Sequence, residues 1–202
     1  AEKKISNQNS LVSHPGSSIG SFVVPENLSI ADSLDLVECL ISYTRETKFS
    51  SIRITLPPNL YQKKLSNYMD FSFFKNNFYY VNRDITSILF LEKSIENTVK
   101  KFKSSHKRSI RKARDSGVII RQSKDFKSYY EILRKNLKIR HNVEPTHSIE
   151  ELNKIHTLFP KRCNLFAAFL NGKMIAGVVN FIINDHTILA FYISHDEDYK
   201  EY

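Results

Sequence analysis

The sequence predicts an α/β (α+β) fold in which helices flank a mixed, mainly antiparallel sheet, and three observations carry that reading. Between Asn164 and His195 lie three apolar runs of strand length, LFAAFL, MIAGVVNFII and HTILAFYI, separated only by Asn171-Gly172-Lys173 and Asn184-Asp185. Asn-Gly is the strongest short hairpin signal, because both central residues of a type I′ turn need positive φ, so the runs read as a three-strand antiparallel meander. Ahead of them, apolar residues recur at spacings of three and four, the signature of helices with one inward face. Finally, 202 residues with 41% hydrophobic content suffice to build a core, as one large or two small domains.

Taken in order, Leu11 to Val24 (LVSHPGSSIGSFVV) reads as strand, glycine-containing loop, strand. The backbone N–H groups between Gly16 and Gly20 can cradle an anion, although a plain connector is the commoner use of such a loop. Ser33 to Thr47 is an amphipathic helix with Leu34, Val37, Leu40, Ile41 and Thr44 inward and Asp32 as N-cap. Ser51 to Leu56 alternates as a strand and stops at Pro57-Pro58. Leu60 to Phe74 reads as a helix, and Phe78 to Val81 and Thr86 to Leu91 as strands. One long helix follows from Ile95 to Asp115, ended by Ser116-Gly117, with Ile95, Val99, Phe102, His106, Ile110 and Ala113 forming a stripe that should face a core. On that stripe His106 reads as a core histidine. Val118 to Gln122 is a strand, and Asp125 to His141 a helix with Phe126, Tyr129, Tyr130, Leu133 and Leu137 inward. Ser148 to Phe159 is a short helix with Ser148 and Glu151 as a capping box. The meander shows little polar alternation, so both sheet faces should be covered. Within it, Ala176-Gly177 replaces the expected β-branched residues, which favours close packing of a helix over a ligand approach.

Composition narrows the class. No apolar run reaches the roughly 20 residues of a membrane span, and the polar start lacks a signal-peptide core, so a cytoplasmic protein is expected. Cys39 and Cys163 have no metal spacing, nor do the histidines, and two isolated thiols suit a reduced compartment; neither is a candidate nucleophile and no metal is expected. The formal charge of +9 points to an anionic partner. It concentrates in Lys100, Lys101, Lys103, Lys107, Arg108, Arg111, Lys112 and Arg114, with no acid between Asn97 and Arg114. Such a run is often just a solvated face, but Lys107, Arg108, Arg111 and Lys112 are candidates to hold phosphate oxygens, arginine as a bidentate fork and lysine as a point charge.

The tract FKSSHKRSIRKARDSGVIIR, a helix ending KIRHNVEPTHSIEEL, and LFAAFLNGKMIAGVVNFIINDHTILAFYIS together resemble the FemAB-like branch of the GNAT acyltransferase superfamily. LVSHPGSSIGSFVV with its downstream strand and helix resembles, less specifically, the latter half of the preceding domain of such two-domain proteins. The resemblance implies residues 1–92 as the C-terminal half of one GNAT-like domain and 93–202 as the N-terminal part of a second. It also implies transfer of an acyl or aminoacyl group to an amine, with a cell-wall precursor as one possible acceptor and acyl-CoA or aminoacyl-tRNA as donor. Arg140, His141 and His147 match polar positions near the substrate in the family, although an ordinary polar loop fits them as well. Tyr192 and His195 end the last strand where ligands enter a GNAT-type sheet, so Tyr192 is the candidate general acid and His195 the candidate base. One departure bears on the donor: the Arg/Gln-x-x-Gly-x-Gly/Ala turn that holds the coenzyme A pyrophosphate is replaced by SHDEDYKEY, which has no glycine.

Two other functions compete with the enzyme. One is a tRNA-binding module using residues 100–114, which lacks the interleaved aromatics of a base-stacking surface and would touch phosphates only; the other is a non-catalytic structural domain. The resemblance further implies a piece of a longer protein. The chain alone should fold, as a homodimer through exposed sheet edges or with its halves pairing into one sheet, and transfer should require extension at both ends.

Overall fold

A computed structural model describes residues 9–15 and 17–202, and the chain divides into two compact units, Ala1–Ile85 and Thr86–Tyr202. In the first, β1 (Ser10–Val12) pairs parallel with β2 (Ser51–Arg53) across the connecting helix α1 (Ile30–Glu46), and α2 (Tyr68–Lys75) packs on α1. The start of α1 is set by Ser29, whose Oγ accepts from the Asp32 N–H at 3.0 Å while the Asp32 carboxylate accepts from the Ser29 N–H at 3.3 Å. Asp32 is therefore the reciprocal partner in a capping box, not the cap itself, and the helix begins earlier than Ser33. Val37 and Thr44 are buried on the inward face, and Ser33 Oγ meets Ser72 Oγ of α2 at 2.8 Å.

Several expected elements of this unit are shorter or absent. The expected strand 51–56 ends at Arg53, and Gly20 to Val24 contributes one isolated bridge, Gly20 to Thr55; Gly16 lies outside the described residues. The expected helix 60–74 becomes a 3-10 turn at Asn59–Tyr61 and then α2 alone, which buries Phe73 but leaves Phe74 exposed. Phe78 to Val81 forms no strand. Alternation and apolar content mark a segment fit for a sheet, but a ladder also needs a neighbouring backbone, and none of the described residues pairs with it.

The second unit contains α3 (Ile95–Lys100), α4 (Ser104–Asp115), β3 (Ile119–Ser123), α5 (Phe126–His141), α6 (Ile149–Leu158), β4 (Cys163–Leu170), β5 (Lys173–Asn184) and β6 (Thr187–His195). The four strands form one antiparallel sheet in the order β3-β4-β5-β6. The expected α/β class and the meander both hold. At the first hairpin Asn171 and Gly172 carry φ of 51° and 81°, the positive angles that the Asn-Gly pair supplies at low cost. The α6 capping box is formed as expected, with Ser148 Oγ accepting from Glu151 N–H and the Glu151 carboxylate from Ser148 N–H. Ser148→Ala should lower stability by about 1 kcal/mol in urea titration.

Three expectations fail here. Thr86 to Leu91 is not a strand. The expected helix 95–115 breaks at Lys103, whose ψ of 150° is outside the helical region. The break relieves the crowding of Lys100, Lys101, Lys103 and Lys107 and frees the Lys100 carbonyl, which accepts from Lys107 Nζ at 2.8 Å. The expected inward stripe is also not buried: Ile95 is 80% exposed, His106 is exposed, and no residue of α4 is buried. Spacing shows which side chains share a face, but not that a partner covers it.

The core forms where α5 crosses the sheet. Phe126, Tyr129, Ile132 and Leu133 interlock with Cys163, Leu165, Ala167, Met174 and Val179. Gly177 admits this packing: a Cβ there would lie 2.6 Å from Tyr129 Cδ2 and 2.8 Å from Cε2, so the missing side chain makes room for the Tyr129 ring. The opposite sheet face, expected to be covered, exposes Ile120, Phe166, Ile188 and Ile193, because α5 and α6 pack on one face only.

Candidate active site

Site geometry is set at the end of β6. A register shift pairs Val179 with Tyr192 but Asn180 with Ala190, so Phe191 is an extra residue on β6. Such bulges re-aim neighbouring side chains, and here Phe191 packs against Phe181, His147 and Tyr192 at centroid distances of 4.9, 5.6 and 4.6 Å. The Tyr192 phenol reaches the loop ahead of α6. Its oxygen accepts from the His147 backbone N–H at 3.2 Å and lies 3.0 Å from His147 Nδ1. From the same core, the Tyr129 hydroxyl donates to the Tyr192 carbonyl at 3.0 Å. Burial pushes the Tyr129 phenol up, so it remains a neutral donor.

Three residues further on, His195 joins a second group. Arg140, in the last turn of α5, donates Nε to Glu197 Oε1 at 2.7 Å and places Nη2 3.3 Å from His195 Nε2. Asn136, one turn earlier, donates Nδ2 to the His195 carbonyl and to Glu197 Oε1, both at 3.1 Å. Arg140 holds the Glu197 carboxyl below the usual carboxylate range. The structure thus draws Arg140 to His195 and His147 to Tyr192, while His141 stays exposed at the end of α5.

The segment after β6 is held by ion pairs between residues distant in sequence. Lys135 of α5 meets Asp196 at 3.0 Å and Asp198 at 2.8 Å, and Lys173 meets Asp196 at 3.5 Å. The hydrogen bonds to Asp198 and Asp196 raise the Lys135 ammonium above its usual range. Burial alone would raise the Asp196 carboxyl, but Lys135, the Asp198 backbone N–H and Lys173 outweigh it and hold that group low. A depressed folded pKa contributes stability above the unfolded value, about 4 for an aspartate, that is lost as pH falls through the folded value. The melting temperature should therefore drop below about pH 4, and Asp196→Asn should flatten that drop. Lys135 and Asp196 lie 61 residues apart, so their pairing leaves no local pattern. The sequence offers only a hint of it, the acids of SHDEDYKEY and the lysines of the α5 segment.

The same segment leaves few free donors. The backbone N–H groups of Asp196, Asp198, Tyr199 and Lys200 bond to the Ile175 carbonyl, Asp196 Oδ1, the Asp196 carbonyl and the Glu197 carbonyl. With three acids at 196–198 as well, these residues do not fit a bound pyrophosphate. Nearby, Asp125, Lys135, Phe169, Lys173 and Asp196 border a concavity of about 430 Å³, which none of the predicted site residues lines. Cys163 is buried and its thiol is pushed up by that burial, as befits a packing residue.

The candidate phosphate-binding residues all lie on α4. Lys107 and Lys112 donate to the backbone carbonyls of Lys100 and Glu201, at 2.8 and 2.6 Å. Arg108 and Arg111 are exposed, and among the described residues neither forms an ion pair. The helix has no side-chain N-cap bond and no buried residue.

Residues 100–202, just over half of the chain, match the family described as acetyltransferase (GNAT) domain. No curated protein matches the chain.

Proposed function

We propose that this chain, which belongs to the acetyltransferase (GNAT) domain family, transfers an aminoacyl group from an ester carried on tRNA to an amine acceptor, in the manner of the FemAB-like branch. Acyl transfer follows from family membership; the donor, the acceptor and the residues are our reading. The observation that carries it is α4, a helix of exposed cations without ion pairs among the described residues and without a buried face of its own. Like-charged i,i+4 neighbours destabilise such a helix in isolation, and a phosphate backbone reverses that penalty. Lys107, Arg108, Arg111 and Lys112 would contact phosphates, which a charged tRNA supplies. The acidic segment after β6, with its N–H groups already used, supports an ester donor over acyl-CoA.

In this reading Tyr192 and His195 face the reacting atoms, and Arg140, His141 and His147 surround them. An amine attacks the ester carbonyl, forming a C–N bond; the tetrahedral oxyanion collapses, the C–O bond breaks, Tyr192 gives its phenolic proton to the departing ribose oxygen, and the proton shed by the nitrogen as it becomes an amide restores the phenol. Positioning of the amine supplies most of the acceleration. A cell-wall precursor suits the acceptor because it pairs an amine with a nucleotide-linked or lipid-linked phosphate.

The experiment is transfer of labelled amino acid from tRNA to an amine-bearing precursor by wild type and Tyr192→Phe. Turnover should fall about 10²-fold in the variant with little change in KM, the low end for loss of a general acid. Equal turnover would remove Tyr192 from the chemistry. The exposed cations of α4 also favour a second reading, a tRNA-binding module; tight tRNA binding with no transfer would select it.

A further inference from the structure

We infer that His195 acts as a fixed hydrogen-bond donor through Nδ1, aimed at the oxyanion, and that Arg140 and Glu197 are the positioning residues that set its tautomer. This rests on the acyl-transfer reading for its catalytic consequence, but the tautomer itself does not. A guanidinium has five donors and no acceptor. With Arg140 Nη2 3.3 Å from His195 Nε2, that nitrogen must be the acceptor, so it carries no proton. An imidazolium would turn an N–H toward the guanidinium, and Glu197 Oε1, 3.7 Å from Nε2, is too far to accept that proton in a hydrogen bond. The hydrogen bond therefore selects the tautomer with its proton on Nδ1.

Arg140 has little freedom to move away. Its Nε is held by Glu197 at 2.7 Å, and Glu197 is held in turn by Asn136, buried in the face of α5, which also ties the His195 carbonyl. Nδ1 has no hydrogen-bond partner among the described residues, and the side chain is 38% exposed, so its N–H is open to a ligand. A nitrogen whose lone pair is occupied by Arg140 cannot take a proton from the attacking amine. An Nδ1–H can instead stabilise the oxygen that becomes negative when the amine adds to the ester, with no proton transferred. The amine must then reach the ester already neutral, and the proton its nitrogen carries after addition passes to the Tyr192 phenolate rather than to His195.

The test has two arms on the full chain. In the first, ring ¹⁵N NMR of histidine-labelled protein, with the His195 signal assigned by its loss in His195→Gln, should show a neutral ring protonated at Nδ1. Arg140→Met should shift it toward the ordinary mixture dominated by the Nε2-protonated form. A wild-type Nε2–H, or an unchanged tautomer in Arg140→Met, overturns the inference; should Arg140→Met fail to fold, Arg140→Gln serves, read the same way. In the second, transfer is compared in His195→Asn, which keeps a donor at the Nδ1 position without basicity, and His195→Ala. The donor role predicts that Asn stays within about threefold of wild type while Ala falls about 10²-fold. Equal losses in both mark a base and overturn it. Should the wild-type protein transfer nothing, the NMR arm alone decides the inference: an Nε2–H, or a tautomer unchanged in Arg140→Met, overturns it.

Discussion

Gly177→Val should lower the stability of the chain by about 3 kcal/mol, and Gly177→Ala by about 1–2 kcal/mol, measured by urea unfolding. The magnitude follows from space. Any Cβ at this position would sit 2.6 Å from the Tyr129 ring and 3.2 Å from Leu165 Cδ1, closer than carbon atoms pack. Tyr129 is fully buried and anchored by its hydroxyl to the Tyr192 carbonyl, so it cannot swing away as a surface side chain would. The strain must move α5 relative to β5 or break that hydrogen bond. Since Tyr129 and Tyr192 share it, Gly177→Ala should also disturb the Tyr192–His147 contact, visible as altered tyrosine ring shifts. Unchanged stability in both variants would mean that α5 does not rest on β5 at this point.

The second large effect concerns α4. Replacing Arg108, Arg111 and Lys112 together by glutamine should weaken tRNA binding about 10³-fold at low salt. That figure is three charge-assisted hydrogen bonds at about 1.5 kcal/mol each, with a tenfold change per 1.4 kcal/mol. The log–log salt slope should become shallower by roughly two to three if each of the three cations neutralises one phosphate in the wild-type complex. The slope is the sharper readout, since it counts released counterions and is not moved by a small change in fold. An unchanged slope removes α4 as the binding face. Lys112 has a competing partner in the Glu201 carbonyl, so it should contribute least of the three.

Much of this was legible in the residues. Asn171-Gly172 fixed the first hairpin, the three apolar runs fixed β4 to β6, and Ser148 with Glu151 fixed the start of α6, because each signal is local and its physics is complete within a few residues. Gly177 was legible as a packing glycine, though not which ring it admits. What failed depended on partners distant in sequence. Residues 78–81 and 86–91 have strand composition but no neighbouring backbone, and the stripe of Ile95, His106 and Ile110 has periodicity but no covering surface. The break at Lys103 was hidden because helix periodicity continues through it. At the site, the candidates Tyr192, His195, Arg140 and His147 were found one at a time, but their pairing was not. It depends on the bulge at Phe191 and on the crossing of α5 over β6, and neither has a local signature. Glu197 and Asn136 were missed altogether, since a carboxylate in an acidic segment and an amide in a helix are ordinary until Arg140 and His195 are placed beside them.

The most direct measurement offers the protein two donors in parallel, aminoacyl-tRNA and acetyl-CoA, with the same amine acceptor, and follows label into the amide product. Transfer from the tRNA ester, lost in the triple glutamine variant of α4, with none from acetyl-CoA, is the result this account predicts. Transfer from acetyl-CoA at a rate that the α4 substitutions leave unchanged would contradict it, and would place the donor away from both α4 and the acidic segment after β6.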